Sequence, residues 1–287
     1  MTEESTNNRE PEIVIRRILV ALDTSTHSLA ALEAAARLAV AMEAELVGLF
    51  VEDINLLRLA ALPFAREICW PSTAGRQLDE RKMERDLRLR ASQARRALAL
   101  TAEKVEVQWT FRVVRGAVTD EVLSAAADAD LISLGRASRS LTARVRLGST
   151  ARAAAVKGER SVLLAREGAD LEQPLVVTYD GSSSAGRALA AAARLAQPND
   201  TNLIVLIMAD DPDEAPRLAE EASDWLERRV VHAEYRYLPP DDGSNLIEAL
   251  YRERCGLLVL GGELQLLKGD MLGRILDELD CPILLVR

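Results

Sequence analysis

The sequence predicts an α/β fold built twice, as two tandem, doubly wound parallel sheets with helices on both faces, in one chain of 287 residues. Two observations point there. Short apolar runs alternate with longer segments patterned for helices, which implies parallel strands joined by crossover helices. The order of these segments then recurs. Arg16–Ser25 and Pro174–Ser183 each give an apolar strand, an Asp, small polar residues and the start of an alanine-rich helix. Leu131–Gly135 (LISLG) matches Leu257–Gly261 (LLVLG), and Ser161–Arg166 matches Pro282–Arg287. Each copy is too long for a solenoid repeat and large enough to bury its own core. The polar stretch Glu167–Gln173 separates them, giving domains of residues 1–169 and 170–287.

The elements follow in order. Residues 1–12 are polar and acidic, expected to be a loose tail with no secretory signal. Strand Ile18–Leu22 leads to helix Ser28–Met42, then strand Glu45–Val51 and an irregular segment to about Arg76. A charged helix over Leu78–Leu100 follows. After it come strand Glu106–Arg112, helix Val118–Asp128, strand Leu131–Leu134, a glycine loop, a short helix and strand Ser161–Leu164. The second half gives strand Leu175–Tyr179, helix Ser184–Leu195, strand Leu203–Met208, helix Glu214–Arg229 and strand Ala233–Leu238. Helix Asn245–Arg254, strand Leu257–Leu260, a second loop and strand Ile283–Val286 complete it.

Composition narrows the class. Apolar residues make up 48% and aromatics 3%, so the cores rest on Ala, Leu and Val. No run approaches the roughly 20 apolar residues of a membrane span. Cys69, Cys255 and Cys281 are scattered with no CxxC spacing, which favours a reducing, cytoplasmic setting and argues against a metal site. The net charge of −9 argues against nucleic acid as a partner. The arginines of Arg81–Arg90 are interleaved with acids and read as a solvated helix face. All of the negative excess lies in the second half, so an anionic ligand meets less repulsion in the first.

The stretch Gly135–Thr150 carries the most chemistry. Strand, glycine turn, basic loop and Gly148-Ser149-Thr150 at a helix start form a phosphate-cradle layout. Glycine lets the backbone approach an anion, and the first amides of a helix have no partners within it. Those amides and the helix dipole favour negative charge, and Arg136, Arg139, Arg144 and Arg146 add to it. The competing reading is that Gly135 turns the chain and Ser149 or Thr150 caps a helix. Ligands of open parallel sheets bind beyond the carboxyl ends of the strands at the switch point, where Asp23 and Gly135 both fall.

With these residues in view, the chain resembles a tandem universal stress protein over nearly its whole length. The ATP-binding branch of that family carries Gly-x-x-Gly, nine residues, then Gly-Ser or Gly-Thr. Here Gly135-Arg136-Ala137-Ser138 precedes nine residues and Gly148-Ser149, so the spacing holds while Ser138 replaces the second glycine. Serine there costs energy if the position needs a positive φ; otherwise its hydroxyl can donate to a phosphate. The resemblance implies a five-stranded sheet of order 3-2-1-4-5, an Asp near the adenine, which Asp23 matches, and backbone at the end of the second strand against the base, where Val51 falls. Ala21, Asp23, Val51, Gly135, Arg136, Ser138, Gly148, Ser149 and Thr150 are the expected nucleotide contacts. The ligand implied is ATP or another adenine nucleotide, with Mg as its companion ion. Pairing of the two domains within the chain through their last strands, and a homodimer, are the implied assemblies.

The second half departs from this pattern. Leu264 stands where the second glycine would be, and the segment from Gly261 to Pro282 is five residues shorter than that from Gly135 to Ser161. Its Asp180 can serve as a cap or turn residue. Leu56–Pro71, with Phe64, Cys69 and Trp70, has no counterpart in the second half and reads as a lid, an interface or core cover. No catalytic residues are assigned: a nucleophile elbow, a Walker lysine and paired histidines are all missing, and His27 and His232 lie in different repeats. The expected role is therefore a nucleotide-binding sensor or interaction module in the stress response. A weak ATPase at the same site and a non-nucleotide scaffold with a vestigial loop are the alternatives.

Overall fold

The computed structural model describes residues 13–68, 75–136, 148–168, 174–197, 201–239, 244–262, 271–279 and 281–287. The chain divides into two compact units, Ile15–Gly168 and Ala169–Arg287, the latter also taking in Met1–Val14.

In the first unit, β1 (Arg17–Ala21), α1 (Thr26–Met42) and β2 (Glu45–Asp53) are followed by α2 (Ile54–Ala60) and an antiparallel pair, β3 (Arg66–Ile68) and β4 (Gly75–Gln77). Then come α3 (Glu80–Lys104), β5 (Trp109–Gly116), α4 (Val118–Ala126), β6 (Leu131–Gly135), α5 (Ser149–Lys157) and β7 (Ser161–Ala165). The parallel pairings run β5-β2-β1-β6-β7, the expected 3-2-1-4-5 order. Helix α1 packs on α3, and α4 packs on α5. This follows from right-handed crossovers: the chain steps one way from β1 to β5, then back to β6 and β7, so the helix pairs cover opposite faces. The strands that carry the core are nearly continuous apolar runs. Ile18, Leu19, Val20, Leu46, Leu131, Val162 and Leu164 are at most 2% exposed, as befits a sheet covered on both sides.

Helix starts are set by short polar side chains. Ser25 Oγ accepts from the Ser28 amide, Asp53 Oδ1 from Asn55, and Asp79 Oδ1 from Arg81 and Lys82. Two expectations shift. The segment after β2 is not wholly irregular: the Asp53 cap starts α2, which buries Leu57 and Ala60, while Leu59, Leu62 and Phe64 stay exposed. Cys69 and Trp70 lie outside the described residues. The third strand of the sheet begins at Trp109, not Glu106, and runs on to Gly116. Glu106 adopts φ 57, and the Glu106 and Val107 amides donate back to Glu103 and Ala102. Residues that alternate like a strand are thus used to close α3.

The second unit contains β8 (Leu175–Tyr179), α6 (Ser183–Ala196), β9 (Leu203–Met208), α7 (Ala215–Glu227), β10 (Ala233–Leu238), α8 (Ser244–Arg252), β11 (Leu257–Gly261), α9 (Met271–Glu278) and β12 (Ile283–Val286). Its parallel order is β10-β9-β8-β11-β12, again 3-2-1-4-5. The same alternation of apolar strands and crossover helices therefore builds the same sheet twice. Thr178, the fourth residue of β8, is fully buried, and its Oγ1 has no hydrogen-bond partner among the described residues. A buried hydroxyl without a partner keeps its desolvation cost, about 1–3 kcal/mol. Thr178→Val keeps the shape and removes that atom, so a gain of about 1 kcal/mol is expected in urea unfolding. A lower midpoint would mean that the hydroxyl is satisfied in solution.

Candidate functional site

The carboxyl ends of β1, β2 and β6 meet at the switch point of the first unit, where the chain reverses its direction across the sheet. Asp23 follows β1 and folds the chain into α1. Its Oδ1 accepts from the Ser25 amide at 2.9 Å and from Ser25 Oγ at 2.6 Å, and its own amide donates to Ser28 Oγ at 3.3 Å. Partial desolvation at the sheet end pushes the Asp23 carboxyl up, but the bonds from Ser25 and Ser28 outweigh it and hold the pKa below the usual carboxylate value. Oδ2 has no partner among the described residues, and the residue is exposed.

The second unit makes the same turn. Asp180 Oδ1 accepts from the Ser182 amide at 2.9 Å, and Ser182 caps α6. Turn formation is thus a structural role of this Asp in both units. One residue differs: Gly181 adopts φ 77, and Thr24, its counterpart, adopts φ 67. A β-branched residue at positive φ is strained by about 1–2 kcal/mol. Thr24→Gly relieves that but frees the unfolded chain. The expected net is a gain of about 0.5–1 kcal/mol, seen as a higher urea midpoint with unchanged slope. An unchanged midpoint would remove the case for strain here.

Val51 owes its place to strand parity. Along β2 the Glu45 amide donates to Arg16 and the Leu49 carbonyl accepts from Leu22, both on the β1 side; the Leu46 amide donates to Gln108 on the β5 side. Odd residues of β2 therefore aim their backbone groups toward β1. Pairing with β1 stops at Ala21 and Leu49. The N–H and C=O of Val51 consequently face the space beyond the end of β1, next to the Asp23 turn.

Gly135 closes this end of the sheet. A Cβ there would lie 2.5 Å from the carbonyl oxygen of His27, in the first turn of α1. Gly261 stands in the same relation to Ser184, with a Cβ 2.8 Å from its carbonyl oxygen. The glycine thus admits the helix. His27 Nδ1 is buried, without a hydrogen bond among the described residues, 4.0 Å from Glu167 Oε2. The Arg136 amide donates to Ala165 at 2.7 Å, and the residue is 2% exposed, so its side chain is part of the packed structure.

At the far end of the expected loop, Gly148 caps α5 without a side-chain bond. Among the described residues no partner takes the amides of Ser149, Thr150 and Ala151. Ser149 is exposed. Thr150 Oγ1 lies 2.9 Å from Thr119 Oγ1, which ties the first turn of α5 to that of α4. Thr119 is absent from the expected set; only its position behind a strand end hints at it. The pair Glu52–Arg115 at 2.8 Å, extended by Glu84 at 3.3 Å, braces the ends of β2 and β5 beside the site and was likewise not singled out. Ser138 and the arginines at 139, 144 and 146 lie outside the described residues. Among the described residues there is no cluster of metal-ligating side chains, and no helix is long and apolar enough to cross a membrane.

A model of the universal stress protein family matches residues 15–166, more than half the chain. The chain belongs to the universal stress protein family. A universal stress protein from Archaeoglobus fulgidus DSM 4304 is similar in fold, with TM-score 0.72 and 14% identity over 94% of this chain and 98% of that one. A functionally unknown protein from Pseudomonas aeruginosa PAO1 has TM-score 0.59 and 13% identity over 98% and 94%. A universal stress protein solved in complex with cAMP has TM-score 0.39 and 19% identity, covering 54% of this chain and all of that one. No curated protein matches the chain.

Proposed function

We propose that this universal stress protein binds an adenine nucleotide, ATP or a close relative, in its first unit and acts as a nucleotide-dependent sensor or interaction module in the stress response. The observation that supports the reading is that three kinds of polar group lack partners among the described residues at the carboxyl end of the first unit's sheet. Val51 offers a backbone donor and acceptor of the kind an adenine edge needs. Asp23, an exposed residue, offers Oδ2 to an amine or a ribose hydroxyl. The α5 amides at Ser149, Thr150 and Ala151 suit a phosphate. The preserved spacing from Gly135 to Gly148 supports the same ligand. Mg would enter with the nucleotide, held by its phosphates and water.

The second unit keeps the Asp turn and the glycine against the helix, but its loop segment is five residues shorter. One nucleotide per chain is therefore the proposed stoichiometry. For assembly, the same reading has the two domains, 1–169 and 170–287, pair through β7 and β12, each at an edge of its own five-strand order, with a homodimer as the further step.

Calorimetric titration of the full chain with ATP, AMP and cAMP tests the binding reading. Saturation near one nucleotide per chain is expected, and loss of that signal in Ser149→Glu. Phosphate release during the ATP run would point to the weak ATPase, and no heat with any of the three would favour the scaffold. A stoichiometry near two, with one site insensitive to Ser149→Glu, would make the second unit a nucleotide binder as well.

A further inference from the structure

Cys255 and Cys281 are 26 positions apart in sequence, yet the second unit brings them together. Cys255 precedes β11 and Cys281 precedes β12, and these strands are parallel neighbours with Leu258 opposite Ile283. The approach to the strands is already knit: the Leu258 amide donates to Pro282 at 3.0 Å, the Gly256 amide to Pro174 at 2.9 Å and the Cys255 amide to Leu250 at 3.1 Å. The two residues thus sit side by side at the amino ends of adjacent strands, with the Cys255 amide and the Pro282 carbonyl next to Cys281 held by backbone bonds. The register sets the two thiols beside each other, and their interaction, with burial, pushes the Cys255 pKa up. Cys281 is 8% exposed and Cys255 half-buried, so solvent reaches the pair from the Cys255 side.

We propose that Cys255 and Cys281 form a thiol-oxidation site: a dithiol that closes to an intrachain disulfide when it meets a peroxide. The chemistry balances in two steps. The Cys255 sulfur, as thiolate, attacks one peroxide oxygen, the O–O bond breaks, and Cys255 becomes a sulfenic acid as the first water leaves. The Cys281 sulfur then attacks the Cys255 sulfur, the S–O bond breaks, and the second water departs with the thiol proton. Two thiols lose two protons and two electrons, and one peroxide takes them up to become two waters. A raised thiol pKa keeps the thiolate scarce at neutral pH, so the reaction is slow and answers to sustained oxidant. The product staples the starts of β11 and β12 and closes a covalent ring that spans β11 and α9. The inference is independent of nucleotide binding, since it needs only the second unit's packing.

The test uses the full chain, reduced and then exposed to excess hydrogen peroxide. Cys69, the third cysteine, is replaced in a parallel Cys69→Ser sample to remove competing pairs. The expected product is monomeric on a non-reducing gel, lighter by two hydrogens in intact-mass measurement, and yields a peptide joining Cys255 to Cys281. It reverts with dithiothreitol. Cys255→Ser and Cys281→Ser, each folded by circular dichroism, are expected to lose the joined peptide. Retention of both thiols in the Cys69→Ser sample after prolonged exposure would overturn the proposal, as would a disulfide formed only between chains.

Discussion

Ser149→Glu is expected to weaken ATP binding at least ~30-fold in calorimetry, and Gly148→Trp to abolish it. The glutamate places a negative charge among the amides that start α5, where the proposed phosphate sits. Two unit charges about 4 Å apart interact by about 4 kcal/mol at an effective dielectric of about 20. Ser149 is exposed, so solvent reduces this to about 2 kcal/mol, which is a factor of about 30. Tryptophan acts differently, by filling the space in front of the amides. The two variants are also expected to part company in stability. An acid in the first turn complements the helix dipole, so Ser149→Glu should unfold at the wild-type urea midpoint or slightly above it. Lost binding at undiminished stability identifies an anion site, whereas lost binding with lost stability would describe a damaged fold. Unchanged affinity in both variants would place the ligand elsewhere.

Much of this architecture is legible in the sequence because the strands are short, continuous apolar runs that suit nothing but a covered parallel sheet. Ile18–Val20, Leu131–Leu134 and Leu257–Leu260 are of this kind, and all fall in strands of the structure. Where a half-exposed edge strand weakens that signal, the boundary slips: Glu106 and Val107 alternate like a strand but serve to cap α3. The short α2 carries no strong sequence signal, because its start depends on one side chain, Asp53, accepting one bond. The site divides in the same way. Asp23 and Gly135 could be placed at strand ends from spacing alone. The direction in which Val51 turns its backbone depends on which neighbour each β2 residue bonds, and that register is a property of the assembled sheet. The contact of Thr119 with Thr150 and the meeting of Cys255 with Cys281 arise from elements remote in sequence, so no local pattern announces them.

Gly135 is where the sequence reading and the structure lead to different experiments. Read as part of a phosphate loop, the glycine would serve the ligand, and Gly135→Ala would lose nucleotide while the empty protein kept its stability. The structure assigns the glycine a packing role. An added Cβ would meet His27 at 2.5 Å from O, 2.6 Å from C and 3.0 Å from Cβ. Two of these are backbone atoms in the first turn of α1, and that turn is fixed by Ser25 capping and by the Asp23 bonds. A flexible side chain could swing aside; a capped helix turn must move with its helix. Overpacking a well-packed site costs about 1–3 kcal/mol, and with backbone on the far side the upper value applies. Gly135→Ala is therefore expected to destabilise the ligand-free protein by about 3 kcal/mol. At roughly 2–4 °C per kcal/mol for a unit of this size, the melting temperature should fall by about 10 °C. Gly261→Ala, with a Cβ 2.7 Å from Ser184 C and 2.8 Å from its O, is expected to behave similarly in the second unit. Melting at the wild-type temperature with ATP binding lost would return Gly135 to the phosphate-loop role alone.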